Sequence, residues 1–449
     1  MVAGAAVATL WVADPVLAHG IGGRTDLPVP QWLFVFGAAT ALIVSFVALS
    51  TLWREPRFEH RRVRPAAPSV VQSILTSSAL EWIVRIAALA FFLVVAAASA
   101  MRAGPRDTIG PIVVFDWFWV GLAFATAILG NLWATISPFD TIGRLLRLDE
   151  DGAATRAYPQ RWGLWPAAIG LFLFVWVELV DPFGLYLGSL GFLIVAYALA
   201  QIAGMHAFGR RAWIEHGEAF HVYFGLIAAI APFTRDAAGR VVVRPPLAGL
   251  ATVPGRPGLL AVVVIALGST TFDGLSRAQW WVTWTAGLGG VARTAVFTVG
   301  LLVVIGAVAG AYALAIASAA RVAATPWRSL AVRFAPSLIP IVLAYVVAHY
   351  FSFLLLEGQL GLIRLSDPFG QGWDLFGTAD LQMNLALLSP TTIWYVQVAA
   401  IVIGHVGGVI AAHDRAVASF PPDVAIRTQY ALLAVMVLFT ASGLLILSG

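Results

Sequence analysis

Residues 334–359 read FAPSLIPIVLAYVVAHYFSFLLLEGQ. From Phe334 to Leu356 the stretch is apolar and long enough to cross a bilayer, which takes roughly 20 such residues. Yet His349, Ser352, Glu357 and Gln359 stand where plain lipid-facing leucines would serve. Polar side chains at membrane depth are expensive and face protein, water or a ligand. The theme continues in Ser366-Asp367-Pro368-Phe369-Gly370-Gln371-Gly372-Trp373-Asp374. The segment therefore reads as a membrane span and as one wall of a functional site.

The composition extends that reading to the whole chain. Its 449 residues are 60% hydrophobic and only 11% charged, and the mean hydropathy is +0.87. These values lie far outside the soluble globular range. The fold class is an all-α polytopic membrane protein, with the lipid bilayer as its solvent. About ten spans are expected, at 31–52, 80–101, 111–136, 164–180, 184–204, 257–276, 293–320, 334–356, 391–412 and 426–448. All 27 basic residues are arginine. The pI near 9.7 reflects arginines in loops beside an anionic leaflet, as in a plasma membrane, and not nucleic-acid binding. With no cysteine, disulfides, cysteine-ligated metals and thiol catalysis are excluded. Any metal falls to His, Asp, Glu, Met or backbone oxygens.

Arginine bias orients the spans. Arg54, Arg57, Arg61, Arg62 and Arg64 place the first loop inside; Arg144, Arg147, Arg156 and Arg161 do the same for the third. The bias holds along the rest of the chain only if 217–233 does not cross, so that segment is expected to be a re-entrant or interfacial helix. The insert 234–258 reads as a small inner hairpin. Asp236-Ala237-Ala238-Gly239 makes its turn and Arg240–Arg244 a short strand. Residues 1–18 read either as a signal peptide ending at Ala18 or as an uncleaved short helix. The remainder, 19–449, is one helical membrane domain. If cleavage occurs, His19 becomes an amino terminus able to chelate copper through its amine and imidazole; otherwise it is an ordinary loop histidine.

This topology sorts the polar residues. Asp116, Glu178, Asp181, Asp273, His349, Glu357, Asp367 and Asp374 fall near the outer surface. Asn131, Asp140, His206, Glu215, His216, Glu218, His221, His413 and Asp414 fall near the inner one, with His405 at mid-depth. His349 and Glu357 lie about 80° apart around a helix and border one side of it. His349, Glu357 and Asp273 are the candidate catalytic residues. Asp116, Glu178, His349 and Glu357 are candidate ligands for a divalent metal that would acidify a bound water, although the local spacing of a zinc motif is missing. His405, His413, Asp414 and Asp367 are further candidates. Each has a plain alternative: Asp181-Pro182 and Asp367-Pro368 also read as turns. Asp116 also reads as an arginine's partner. Gly404, Gly407 and Gly408 let either another helix or a flat ligand approach His405.

Several blocks bear a family likeness. Ala18-His19-Gly20-Ile21-Gly22-Gly23-Arg24-Thr25-Asp26-Leu27-Pro28-Val29-Pro30, Gly217-Glu218-Ala219-Phe220, Thr271-Phe272-Asp273-Gly274, His349 to Gln359, Ser366-Asp367-Pro368 and His405 to Asp414 resemble actinobacterial multi-pass membrane proteins of the fenitrothion hydrolase type. The resemblance implies hydrolysis of organophosphorus triesters at the phosphorus–aryl oxygen bond, and it carries no residue assignments. Three readings follow: a hydrolase of small apolar triesters, metal-assisted, with an outer site; a transporter or copper-handling permease moving an ion; and a structural assembly factor. The first two predict that the outer carboxylates gather; the third predicts that they scatter.

Overall fold

The computed structural model describes residues 30–58, 63–101, 104, 106–149, 154–181 and 188–448. The expectations for 1–18 and His19 lie outside the described residues. Helices α1 (Gln31–Leu52), α2 (Ser78–Ser99) and α3 (Ile109–Leu129) precede a short helix, α4 (Pro138–Leu145). Helices α5 (Trp165–Val180) and α6 (Ser189–Phe208) lead into two more short ones, α7 (Arg210–His216) and α8 (Ala219–Ala228). Then follow α9 (Leu259–Ser276), α10 (Gly290–Ala323), α11 (Ile339–Leu356), α12 (Gly358–Arg364), α13 (Pro390–Val417) and α14 (Tyr430–Ser448). Among the described residues nine helical runs are long and apolar enough to cross a membrane. The chain is an all-α polytopic membrane protein.

The tenth expected span is α5, only 16 residues long, or about 24 Å at helical rise. It still runs from one end of the bundle to the other. Leu164 N donates to Pro257 O (2.7 Å), just before α9, and Val180 O accepts from Arg293 Nη1 (3.2 Å), at the opposite end in α10. Its partner α9 is the central helix, buried along most of its length and packed by α5, α10 and α11. An all-round apolar sequence such as LLAVVVIALG suits a helix enclosed by others. Glycine sets the close approaches. A Cβ on Gly404 of α13 would sit 2.1 Å from Ala344 Cβ and 2.7 Å from Pro340 O of α11. The neighbour that these glycines admit is thus a helix, not a flat ligand.

The segment 217–233 holds the ten-residue α8. An interfacial helix would keep a polar face in water. Instead Phe220, Val222, Tyr223, Phe224 and Ile227 are all buried, and α8 packs against α3 and α5. The chain then turns back into β2 (Phe233–Arg235) of a three-stranded antiparallel sheet ordered β1–β3–β2, where β1 is Arg64–Pro65 and β3 is Val241–Val243. Registers are Arg64↔Val243 and Thr234↔Val242. The hairpin turn is closed by Asp236 Oδ1, which accepts from Ala238 N and Arg240 N (both 2.9 Å). Gly239 takes φ +77° there, where a side chain would be strained. Because β1 follows α1, the sheet ties the first loop and the 233–243 hairpin to one end of the bundle. We call this the arginine-rich end; the loops after α2, α5, α9 and α11 form the carboxylate end.

Candidate functional site at the carboxylate end

The centre is Asp273, on the last turn of α9 and 2% exposed. Its Oδ2 accepts from His349 Nε2 (2.8 Å) and from the Tyr350 hydroxyl (2.8 Å), both on α11. Its Oδ1 accepts from Arg277 Nε (3.0 Å) and Nη2 (2.9 Å), one turn on. Arg277 also suits its position as a cation at the C-terminus of α9. A carboxylate can only accept, so Nε2 of His349 carries a proton, and Nδ1 is the ring nitrogen left to act as acceptor or base. Nδ1 has no hydrogen-bond partner among the described residues. The His349 side chain retains 13% exposure.

Around this centre stand the other carboxylates. Asp116 is 3% exposed, on a π-helical stretch of α3, Val113–Gly121. Such wide turns strain the helical ladder and recur at functional sites. Asp116 feels the charges of Glu357 and Arg106. Glu178, half-buried on α5, feels Asp273, Arg277 and Asp116. Neither Asp116 nor Glu178 has a hydrogen bond or ion pair among the described residues. The expected arginine partner for Asp116 is therefore not in contact with it. Glu357, at the end of α11, accepts from Arg106 Nη2 (2.7 Å), whose side chain is 55% exposed. It does not touch His349, because the two are eight residues apart on the helix. Beside it Trp117 Nε1 donates to Gly358 O (3.0 Å), fixing α3 against α12.

The structure thus brings Asp116, Glu178, Asp273, His349 and Glu357 into one electrostatic neighbourhood built from α3, α5, α9 and α11. Among the described residues no three His, Asp or Glu side chains converge as a metal cage. The other sequence candidates serve elsewhere. Asp181 ends α5 with φ +46°, so it does not share a helical face with Glu178. Asp367 is a turn residue: it accepts from Gln371 N (2.8 Å) and Gly372 N (2.7 Å). Burial pushes its carboxyl up, but the backbone N–H groups of Gln371, Gly372 and Trp373 outweigh that and hold it below the usual range. Asp374 closes a second turn by accepting from Ala379 N (3.1 Å).

At the arginine-rich end, Asp414 Oδ1 holds the 53–58 loop through Trp53 Nε1, Arg57 N and Phe58 N. His413 Nε2 donates to Trp53 O (2.9 Å), and its Nδ1 meets Gln429 Oε1 (3.1 Å). His405 Nδ1 donates to Ile401 O (2.8 Å), and its buried Nε2 has no partner among the described residues.

Sequence reasoning missed Arg277, Arg106 and the role of Tyr350. The spacing of Arg277, four residues after Asp273, was a usable signal for an ion pair on one helix face. Arg106 had none, because its partner is 251 residues away. Compared with known proteins, the chain matches no family model, no curated protein and no solved structure.

Proposed function

We propose that the chain is a membrane-embedded hydrolase of small apolar esters, with organophosphorus triesters the class implied by its resemblance. The observation that carries this is the His349 Nε2–Asp273 Oδ2 bond (2.8 Å), which leaves Nδ1 without a partner. A buried carboxylate that fixes the tautomer and rotation of an imidazole is the arrangement of a general base. In this reading Nδ1 takes a proton from water as the water oxygen bonds to phosphorus. The phosphorus–aryl oxygen bond breaks, the aryl oxide leaves with the electron pair, and the imidazolium returns the proton to it. The N–H groups of Arg277 not used by Asp273 are donors for the phosphoryl oxygen. Apolar triesters partition into bilayers, and in sequence the aromatic residues Phe115 and Trp117 flank Asp116 while Phe353 lies between His349 and Glu357. The water activation rests on the imidazole.

One observation favours a second reading. Among the described residues Asp116 and Glu178 are carboxylates without partners within apolar helices, a feature of proton and cation relays in transporters. The two readings separate in one set of measurements on correctly inserted protein. As a hydrolase, H349Q and D273N lose about 10²–10⁴ in the rate of aryl oxide release from a chromogenic aryl phosphotriester. An unchanged rate in folded H349Q removes the hydrolase reading. As a transporter, wild-type proteoliposomes carry a pH- or cation-linked flux that D116N/E178Q abolishes, with no ester cleavage.

A further inference from the structure

The opposite end of the bundle holds a cavity that this chemistry does not use. It measures about 430 Å³ and lies between the loop before α9, the helix Trp327–Phe334 and the end of α13. Four of its nine lining residues are arginines: Arg256, Arg328, Arg333 and Arg415. None is Asp or Glu. Arg256 and Arg333 have no ion pair among the described residues. Arg328 lies over the Trp327 ring at 5.7 Å. Arg415 is held in place, its Nη2 donating to Leu250 O (3.1 Å) and Ala251 O (2.9 Å). The walls are in contact: a Cβ on Gly255 would meet Val332 Cγ1 at 3.0 Å.

Arginines on a convex surface spread into solvent and need no partner. Here Arg328 and Arg333 are exposed and Arg256 and Arg415 half-buried, but all four line one concavity, which concentrates positive potential that a bound anion offsets. Guanidinium groups present paired N–H donors that match the oxygens of a phosphate bidentately. A basic pocket at the cytoplasm-facing end of a helix bundle is also where phosphorylated head groups sit. A second groove, of about 990 Å³, runs along α10 past Gly310, Ala313, Leu314 and Ala317 to Trp327, next to Arg328. It has the dimensions and apolar lining for an acyl chain.

We propose that the arginine cavity binds a phosphate-bearing anion, either a phospholipid head group or a free phosphate. This site is independent of the His349–Asp273 centre. The test compares R256Q/R333Q with R64Q/R211Q, which removes the same charge from positions at the same end that do not line the cavity. In the lipid arm, full-length protein is reconstituted in nanodiscs of phosphatidylcholine with phosphatidylglycerol, and retained lipid is counted by native mass spectrometry. In the phosphate arm, inorganic phosphate is titrated against the thermal midpoint in detergent. A head-group site makes R256Q/R333Q lose about tenfold or more in phosphatidylglycerol retention, with R64Q/R211Q near wild type. A free-phosphate site makes phosphate raise the midpoint of wild type and of R64Q/R211Q, but not of R256Q/R333Q. If R256Q/R333Q does not fold, R328Q/R333Q takes its place. Identical behaviour of the pocket and control variants in both arms overturns the proposal.

Discussion

The two ends of this bundle treat buried carboxylates differently. At the arginine-rich end each one is matched. Asp140 meets Arg85 (2.8 Å), Arg144 (3.2 Å) and Arg210. Glu218, fully buried, caps α8 through Phe220 N (3.0 Å) and His221 N (2.7 Å), and also accepts from Trp133 Nε1 (2.8 Å) and the Tyr197 hydroxyl (2.7 Å). At the carboxylate end Asp273 is saturated, but among the described residues the buried Asp116 and the half-buried Glu178 have no hydrogen bond or ion pair. A buried charge that is fully paired fixes the relative positions of helices. A buried carboxylate with no partner costs several kcal/mol in its charged form.

The largest effect is expected at Asp140. D140A takes one of two carboxylate partners from each of two buried arginines, leaving Arg85 only Glu81 and Arg210 only Asp149, and should cost about 3 kcal/mol, read as a lower unfolding midpoint in mild detergent. A loss under about 1 kcal/mol would make this cluster no more structural than a surface pair.

The next effect is at Asp367, on the order of 1.5 kcal/mol for the turn bonds that D367N weakens. The carboxyl is held below the usual range in the folded chain, so its stabilisation is fully present above the ordinary Asp value of about 3.9. It is lost as pH falls through the lower folded value. The midpoint difference between wild type and D367N should therefore be constant toward neutral pH and close in acid. A difference that widens in acid would reverse the sign.

A smaller effect is expected at Arg106. Its pair with Glu357 reaches an exposed guanidinium, so R106Q should cost about 0–1 kcal/mol, less so at high salt. The smallest is at the unpartnered carboxylates. D116N and E178Q should leave the unfolding midpoint at or above that of wild type, because an uncompensated group is replaced by a neutral one of the same shape. A midpoint drop comparable with that of D140A would erase the distinction between the two ends.

Much of the fold was legible in order of residues alone. All ten expected spans coincide with helices, because hydropathy over some 20 residues is a local property that lipid reads directly. The exclusion of 217–233 as a crossing was also legible, through the arginine bias around it. Its burial was not, since apolar residues such as Phe220 and Phe224 look the same whether they face lipid or protein. Within the candidate site, Asp273 and His349 stood out as polar residues in apolar runs.

By itself, then, the sequence determined that this is a helical membrane protein, which segments are its spans, and which polar residues share an end. Only the tertiary structure decided their relations. It joined Asp273 to His349 and Tyr350 across 76 and 77 residues, gave Glu357 to Arg106, and left Asp116 and Glu178 without a partner among the described residues. The reason is physical. Span formation depends on composition along one segment, but which side chains meet depends on how each helix is rotated and how closely it packs. Those are set by distant contacts, such as Gly404 against Ala344 and Gly268 against Ile305, which no single segment encodes.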